Sequence, residues 1–273
     1  MFFKNNFWGR SIAACSSSSD PSCYENFGPY TEGFRLLEYN DISDLERFLS
    51  MYPNVVSIML EPIQGESGIV VAPDGFLQEV RKLCDEKGIL LVFDEIQAGL
   101  GRTGRLWAGE HWNTVPDILC LAKGIAGGVP MGATLVKPGI LAAISKGEHS
   151  STFGGNPISC AAGIAALTSL TEDGLIENSK KMGEIFREGL EKLKEKHTMI
   201  REIRGKGLMI GIEMKFEVKD ILMGLIDEGV LMLYSGRNIL RILPPLVIKE
   251  EDVTKVLHAL DVVITKEEEK RNV

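Results

Sequence analysis

Apolar residues recur along this chain in two patterns. Unbroken or nearly unbroken runs at 55–60, 89–93 and 118–122 are strand-length and give way to polar residues at Glu61, Asp94 and Lys123. Runs of about four to eight apolar residues bounded by turn signals predict buried strands. Between them, 44–51 and 75–87 carry helical spacing, and the second stops at Gly88, a residue suited to the left-handed cap of a helix. A further strand is predicted over 132–136. Strands alternating with helices predict an α/β sheet with parallel members.

Beyond Asn156-Pro157 the texture changes. An Ala-rich helix is predicted over 158–170 and a longer amphipathic one over 176–196. Strands at 200–203, 208–214, 230–233 and 239–243 then alternate with helices at 218–228 and 250–263, which describes a small α+β unit. The predicted division is a large domain over 1–171 and a small C-terminal domain over 172–273. The charge run at 266–271 reads as a solvated helix end, and the first fifty residues read as loop-rich, with a Gly28-Pro29 turn signal.

Composition narrows the partners. The 273 residues carry 30 Lys+Arg against 38 Asp+Glu, a formal charge of −8. Phosphate neutralisation needs clustered Lys and Arg, so nucleic acid and anionic membrane surfaces are excluded as partners. The apolar runs fall far short of the roughly 18 residues of a transmembrane helix. Five cysteines lie scattered, with no C-x-x-C pair and no histidine spaced to complete a zinc set. No metal is expected, and the dispersed thiols indicate a reducing compartment.

In an open α/β sheet, reactive groups collect at the carboxyl ends of the strands. Asp94 is either a structural strand end or the magnesium ligand of a nucleotide-hydrolysing site. The second reading needs a phosphate loop, and no G-x-x-x-x-G-K-[ST] occurs. Lys123 is either a solvated surface charge or a reactive amine. Its setting favours the amine, because it follows an apolar run and precedes Gly124, Gly127 and Gly128, which leave space around it. Desolvation there would favour the neutral form, which attacks carbonyls. A lysine and an acid at neighbouring strand ends match the needs of pyridoxal phosphate, an aldehyde anchor and a partner for its pyridinium nitrogen.

Four motifs carry a more specific resemblance: EPIQGESG at 61–68, FDEIQAGLGRTG at 93–104, PDILCLAKG at 116–124 and STFGGNP at 151–157. In this order and spacing they resemble the class III, fold-type I pyridoxal-phosphate aminotransferases. The opening NFWGR at 6–10 and NFGP at 26–29 are most similar to the ornithine aminotransferases of that family, whereas LAKGIAGGVPMGA at 121–133 is closer to the acetylornithine branch. The resemblance implies a large domain with an incomplete, mostly parallel sheet and a small C-terminal α+β domain. It makes Lys123 the Schiff-base lysine and proton shuttle, and Asp94 the partner of the ring nitrogen. Gln97 would contact the ring O3′ and Phe7 would stack on the ring. Thr152, assisted by Ser151, would reach the phosphate of a second subunit, which implies a homodimer. Arg241 would grip a carboxylate of the 2-oxoglutarate/glutamate pair, since a planar fork suits a carboxylate. Glu66 would pair with Arg241 when an omega-amino substrate is bound, and Arg10 would hold ornithine's own carboxylate.

The implied reaction moves the delta-amino group of ornithine to 2-oxoglutarate, giving glutamate 5-semialdehyde and glutamate. N-acetylornithine or another omega-amino donor is the alternative within the family, and a catalytically incompetent dimerising remnant is the alternative outside it. Family members carry a first strand and a phosphate-cradling turn before NFWGR, whereas Met1 stands only six residues before Phe7. The expectations are therefore weak cofactor affinity, an uncovered edge on the large sheet, and a cytoplasmic or mitochondrial-matrix location.

Overall fold

Three of the apolar runs lie side by side as parallel strands, Ser57–Leu60, Leu90–Asp94 and Ile118–Leu121, in a computed structural model that describes residues 1–272. Met59 stands opposite Val92, and Val92 opposite Ile118. Ala133–Val136 adds an antiparallel fourth strand beside Ile118–Leu121. Leu91 and Phe93 are fully buried, as the unbroken hydrophobicity of a central parallel strand requires. The helix Phe76–Lys87 covers the sheet with Leu77, Val80 and Cys84. It runs between two left-handed glycines, Gly75 (φ 86°) and Gly88 (φ 66°). Only a residue without a Cβ takes that conformation freely, and it lets the Ile89 amide reach back to Cys84 O at 2.9 Å.

The expected uncovered edge lies at Ala133–Val136 and not at Ser57–Leu60. Phe2–Phe3 pairs in parallel with Leu36–Leu37, and the Met59 amide donates to Met1 O at 2.9 Å, so the Ser57–Leu60 edge is met by the opening residues. The opposite strand, Ala133–Val136, has a neighbour on one side alone among the described residues.

The chain divides into two compact units, one of residues 1–62, 72–100 and 107–173, the other of 63–71, 101–106 and 174–273. The last change of unit falls at 173/174, and two stretches from the first half, 63–71 and 101–106, belong to the second unit. Their partners explain this. The hairpin of Ile63–Gln64 and Val70–Val71 is tied by Arg204 Nε to Gly68 O at 2.9 Å, and Arg102 O accepts from the Leu208 amide at 3.0 Å.

The second unit is built on an antiparallel sheet in the order Leu233–Ser235, Ile239–Ile242, Met209–Met214, Ile200–Lys206. Leu175–Lys196, Lys219–Asp227 and Glu250–Arg271 close its core over Phe186, Leu190, Ile212, Leu225, Leu240 and Leu260. The strand expected over 230–233 begins only at Leu233. Gly229 (φ 73°) ends the preceding helix, and the Val230 amide is used up on Leu225 O at 2.8 Å. The last helix runs on to Arg271. Its charge run is more than a solvated end, because Glu267 is buried and bonded to Lys270 and Arg271, while Lys266 reaches Glu228 at 3.0 Å.

Candidate active site

Each predicted residue sits where a local feature puts it. Asp94 closes the Leu90–Asp94 strand and is 4% exposed. Its Oδ1 accepts from the Ile96 amide at 2.9 Å, whereas Oδ2 is buried and accepts no hydrogen bond. Burial pushes this carboxyl up to about 6, against the Ile96 amide and the charge of Lys123, which favour the anion. A buried acceptor without a donor costs about 1–3 kcal/mol, so Oδ2 is an opening for a donor from outside the chain.

Lys123 begins a short 3-10 turn, Lys123–Ala126, directly after the neighbouring strand, with φ at 45°. A non-glycine residue in this region stores about 1–3 kcal/mol of strain. The turn lifts Lys123 off the sheet. It is exposed, which corrects the desolvation expected from its strand. Gly124, Gly127 and Gly128 beside it are also exposed and leave the amine room, as their positions in sequence suggested. Behind the turn packs Pro157–Glu172, capped by Asn156, whose side chain accepts from the Ser159 amide at 2.9 Å. Gly163 faces this packing, where a Cβ would stand 3.1 Å from Met131 Sδ and 3.6 Å from Ile125 O.

Gln97 is half-buried in the turn three residues past Asp94. Phe7 donates its amide to Glu61 Oε1 at 3.0 Å, and the Arg10 guanidinium stands 5.8 Å over the Phe7 ring. Ser151 and Thr152 occupy an exposed turn that Ser151 O closes by accepting from the Gly154 amide at 3.1 Å.

In the second unit, Arg241 is buried on Ile239–Ile242. Its Nη1 lies 3.2 Å from Glu66 Oε2 and 3.1 Å from Gly65 O, while its Nε is buried without a partner. The structure therefore brings Glu66 and Arg241 together and Phe7 and Arg10 together, and sets Lys123 near enough to Asp94 for its charge to favour the anion. Sequence reasoning missed Ser235 and Arg204, whose side chains hold the 65–68 loop through Glu66 O and Gly68 O. It also missed Glu95, although that residue stands inside the quoted DEIQ motif. No cluster of three or more metal-ligating side chains, and no helix long and apolar enough to cross a membrane, occurs among the described residues.

A mostly parallel sheet whose strand ends carry Asp94 and Lys123, accompanied by a small α+β unit, is the scaffold of the fold-type I transferases. The sequence pattern of the aminotransferase class-III family matches residues 1–264, and the chain belongs to that family. The acetylornithine aminotransferase of Caldanaerobacter subterraneus subsp. tengcongensis is 44% identical over 263 residues, which is 96% of this chain and 66% of that protein. The mitochondrial ornithine aminotransferase of Drosophila melanogaster is 44% identical over 266 residues, 96% of this chain and 60% of that protein. The solved ornithine aminotransferase of Toxoplasma gondii, crystallised with oxidised glutathione and partly occupied by pyridoxal phosphate, superposes with a TM-score of 0.96 at 40% identity. It covers 100% of this chain, which spans 65% of it. The chain thus spans less than two thirds of the length of these relatives.

Proposed function

We propose that this protein is a pyridoxal-phosphate aminotransferase that moves the delta-amino group of ornithine to 2-oxoglutarate. The ion pair of Arg241 with Glu66 carries the reading. A buried guanidinium whose acid partner sits on a half-exposed loop is a carboxylate site that can be opened and closed. With Glu66 in place the site is neutralised and suits a donor presenting an amine. With Glu66 displaced, the guanidinium fork is free for the distal carboxylate of 2-oxoglutarate.

The residues at the strand ends fit the cofactor, because the vacant acceptor Asp94 Oδ2 calls for a buried N–H donor such as a protonated ring nitrogen. The bound cofactor would supply an electron sink for the carbanion left when the substrate loses a proton. Asp94 would keep the ring nitrogen positive, Gln97 and Phe7 would orient the ring, and Lys123 would anchor the cofactor and carry the proton at the reacting carbon. Thr152 and Ser151 would donate hydroxyls to the phosphate in a homodimer, and Arg10 would hold the donor's carboxylate. The donor's terminal amine carbon leaves as the aldehyde of glutamate 5-semialdehyde, and its nitrogen ends on glutamate.

N-acetylornithine is the second reading, supported by the equal 44% identity to the acetylornithine enzyme. Turnover of each donor with 2-oxoglutarate, in the presence of pyridoxal phosphate and beside a Lys123→Ala control, tests both. Ornithine is expected to react faster and the control to be silent. No turnover of either donor would sink the enzymatic reading and favour the remnant.

A further inference from the structure

The strand that ends at Asp94 runs straight on into Glu95, which is 1% exposed. Its two oxygens are separately engaged. Oε2 accepts from the Ala108 amide at 2.6 Å and Oε1 from the Gly109 amide at 2.8 Å, at the start of the 3-10 turn Ala108–Trp112. Between Glu95 and these amides the chain leaves the first unit after Leu100 and re-enters it at Trp107. One carboxylate therefore joins the departing and returning ends of that excursion.

The backbone and the glycines agree with this. The Glu95 amide donates to Cys120 O at 3.0 Å, on the strand that leads to Lys123, and Glu95 O accepts from the Gly99 amide at 2.9 Å. A Cβ on Gly99 would stand 2.8 Å from Glu95 O and 3.0 Å from Oε2. A Cβ on Gly109 would stand 2.8 Å from Thr114 O and 2.9 Å from the Phe93 ring. Both glycines are needed for the carboxylate and the returning chain to approach so closely. Each of the two N–H donors meets its own oxygen, and a carboxylate offers two acceptor oxygens where an amide offers one. Burial nevertheless pushes the Glu95 carboxyl up to about 7, with the charges of Glu110 and Asp94 acting the same way and the two amides opposing. Such a group is a costly choice for a loop staple unless its geometry matters.

We propose that Glu95 is a positioning residue for the cofactor site: its carboxylate staples the base of the 95–109 loop and thereby fixes Asp94, directly before it, and Gln97, two residues after it. The cofactor part of this statement rests on the proposed function, whereas the staple stands on the geometry alone.

The test compares the full chain with Glu95→Gln, which keeps the shape but presents an NH2 to one amide, and with Glu95→Asp, which keeps both oxygens but withdraws them. Hydrogen exchange is read in peptides covering 92–98 and 107–112, with 57–60 as the reference. Pyridoxal phosphate affinity is read separately by titration. In Glu95→Gln both peptides should exchange about tenfold faster or more and the affinity should fall about tenfold, with Glu95→Asp between it and the parent. Unchanged exchange in both peptides overturns the staple. Faster exchange at 107–112 alone, with 92–98 and the affinity unchanged, overturns the positioning role. A parent chain that binds no pyridoxal phosphate would refute the functional reading, and the 92–98 peptide would then decide the positioning of Asp94 by itself.

Discussion

Asp94 illustrates how a buried carboxyl is held at a cost in stability. Its carboxyl rises from an ordinary 3.8 to about 6, chiefly by burial. A raised acid binds its proton more tightly in the folded chain, so stability falls as pH rises from about 4 to about 6 and the penalty is complete above that. The shift corresponds to about 3 kcal/mol. Asp94→Asn should therefore raise the melting temperature of the cofactor-free chain at pH 8, with no gain at pH 3.5, while weakening pyridoxal phosphate binding. A lower melting temperature at pH 8 would contradict this account. At Arg241 a lysine keeps the charge but loses the fork. Arg241→Lys should raise KM for 2-oxoglutarate about tenfold, with KM for the amino donor little changed. The places of Asp94 and Lys123 at the ends of apolar strands were legible in the sequence, because hydrophobic runs are local. The open Oδ2 and the exposure of Lys123 were not, since both depend on turns whose φ values no local pattern specifies.

At the scale of elements, close approach of backbones decides what packs where. Leu175–Lys196 lies against the turn at Gly207, and a Cβ on Gly183 would overlap the Gly207 carbonyl. Gly183→Ala should cost about 2 kcal/mol or more despite its better helix propensity, measured by urea unfolding; a gain in stability would refute the contact. The last helix is docked by charge as well as by its apolar face. Buried His197 has Nδ1 at 2.8 Å from Glu268 and Nε2 at 2.6 Å from Asp261. Bonds from Lys196 and His197 hold the Asp261 carboxyl below its usual range, and the His197 bond holds Glu268 down in spite of burial. A depressed acid contributes stability above its unfolded pKa and loses it as pH falls through the folded value. Acidification below about pH 4 should thus loosen this helix, and Asp261→Asn with Glu268→Gln should flatten that dependence in hydrogen exchange of 250–271. Helix stops such as Gly88 could be read from sequence. The late start at Leu233 could not, because Val230 looks like a strand residue and is consumed by a helix cap.

Across the whole molecule two cores are built, one on the parallel sheet around Leu91, the other around Phe186, Leu190 and Ile212. Calorimetry should resolve two transitions, with Leu91→Ala lowering one and Ile212→Ala the other by about 2–5 kcal/mol each. A single transition shifted equally by both would show that the cores unfold as one.

What the sequence determined by itself was the alternation of strands and helices, the polar residues at three strand ends and the family, because hydrophobic period and short motifs are local quantities. What only the tertiary structure decided was which stretches share a unit and which side chains meet. Arg204 holds Gly68 across 136 residues, Arg241 reaches Gly65 across 176, and Glu95 closes a loop whose middle belongs to another unit. Such contacts form because buried donors and acceptors must be satisfied once the chain has collapsed, a requirement that no window of sequence expresses.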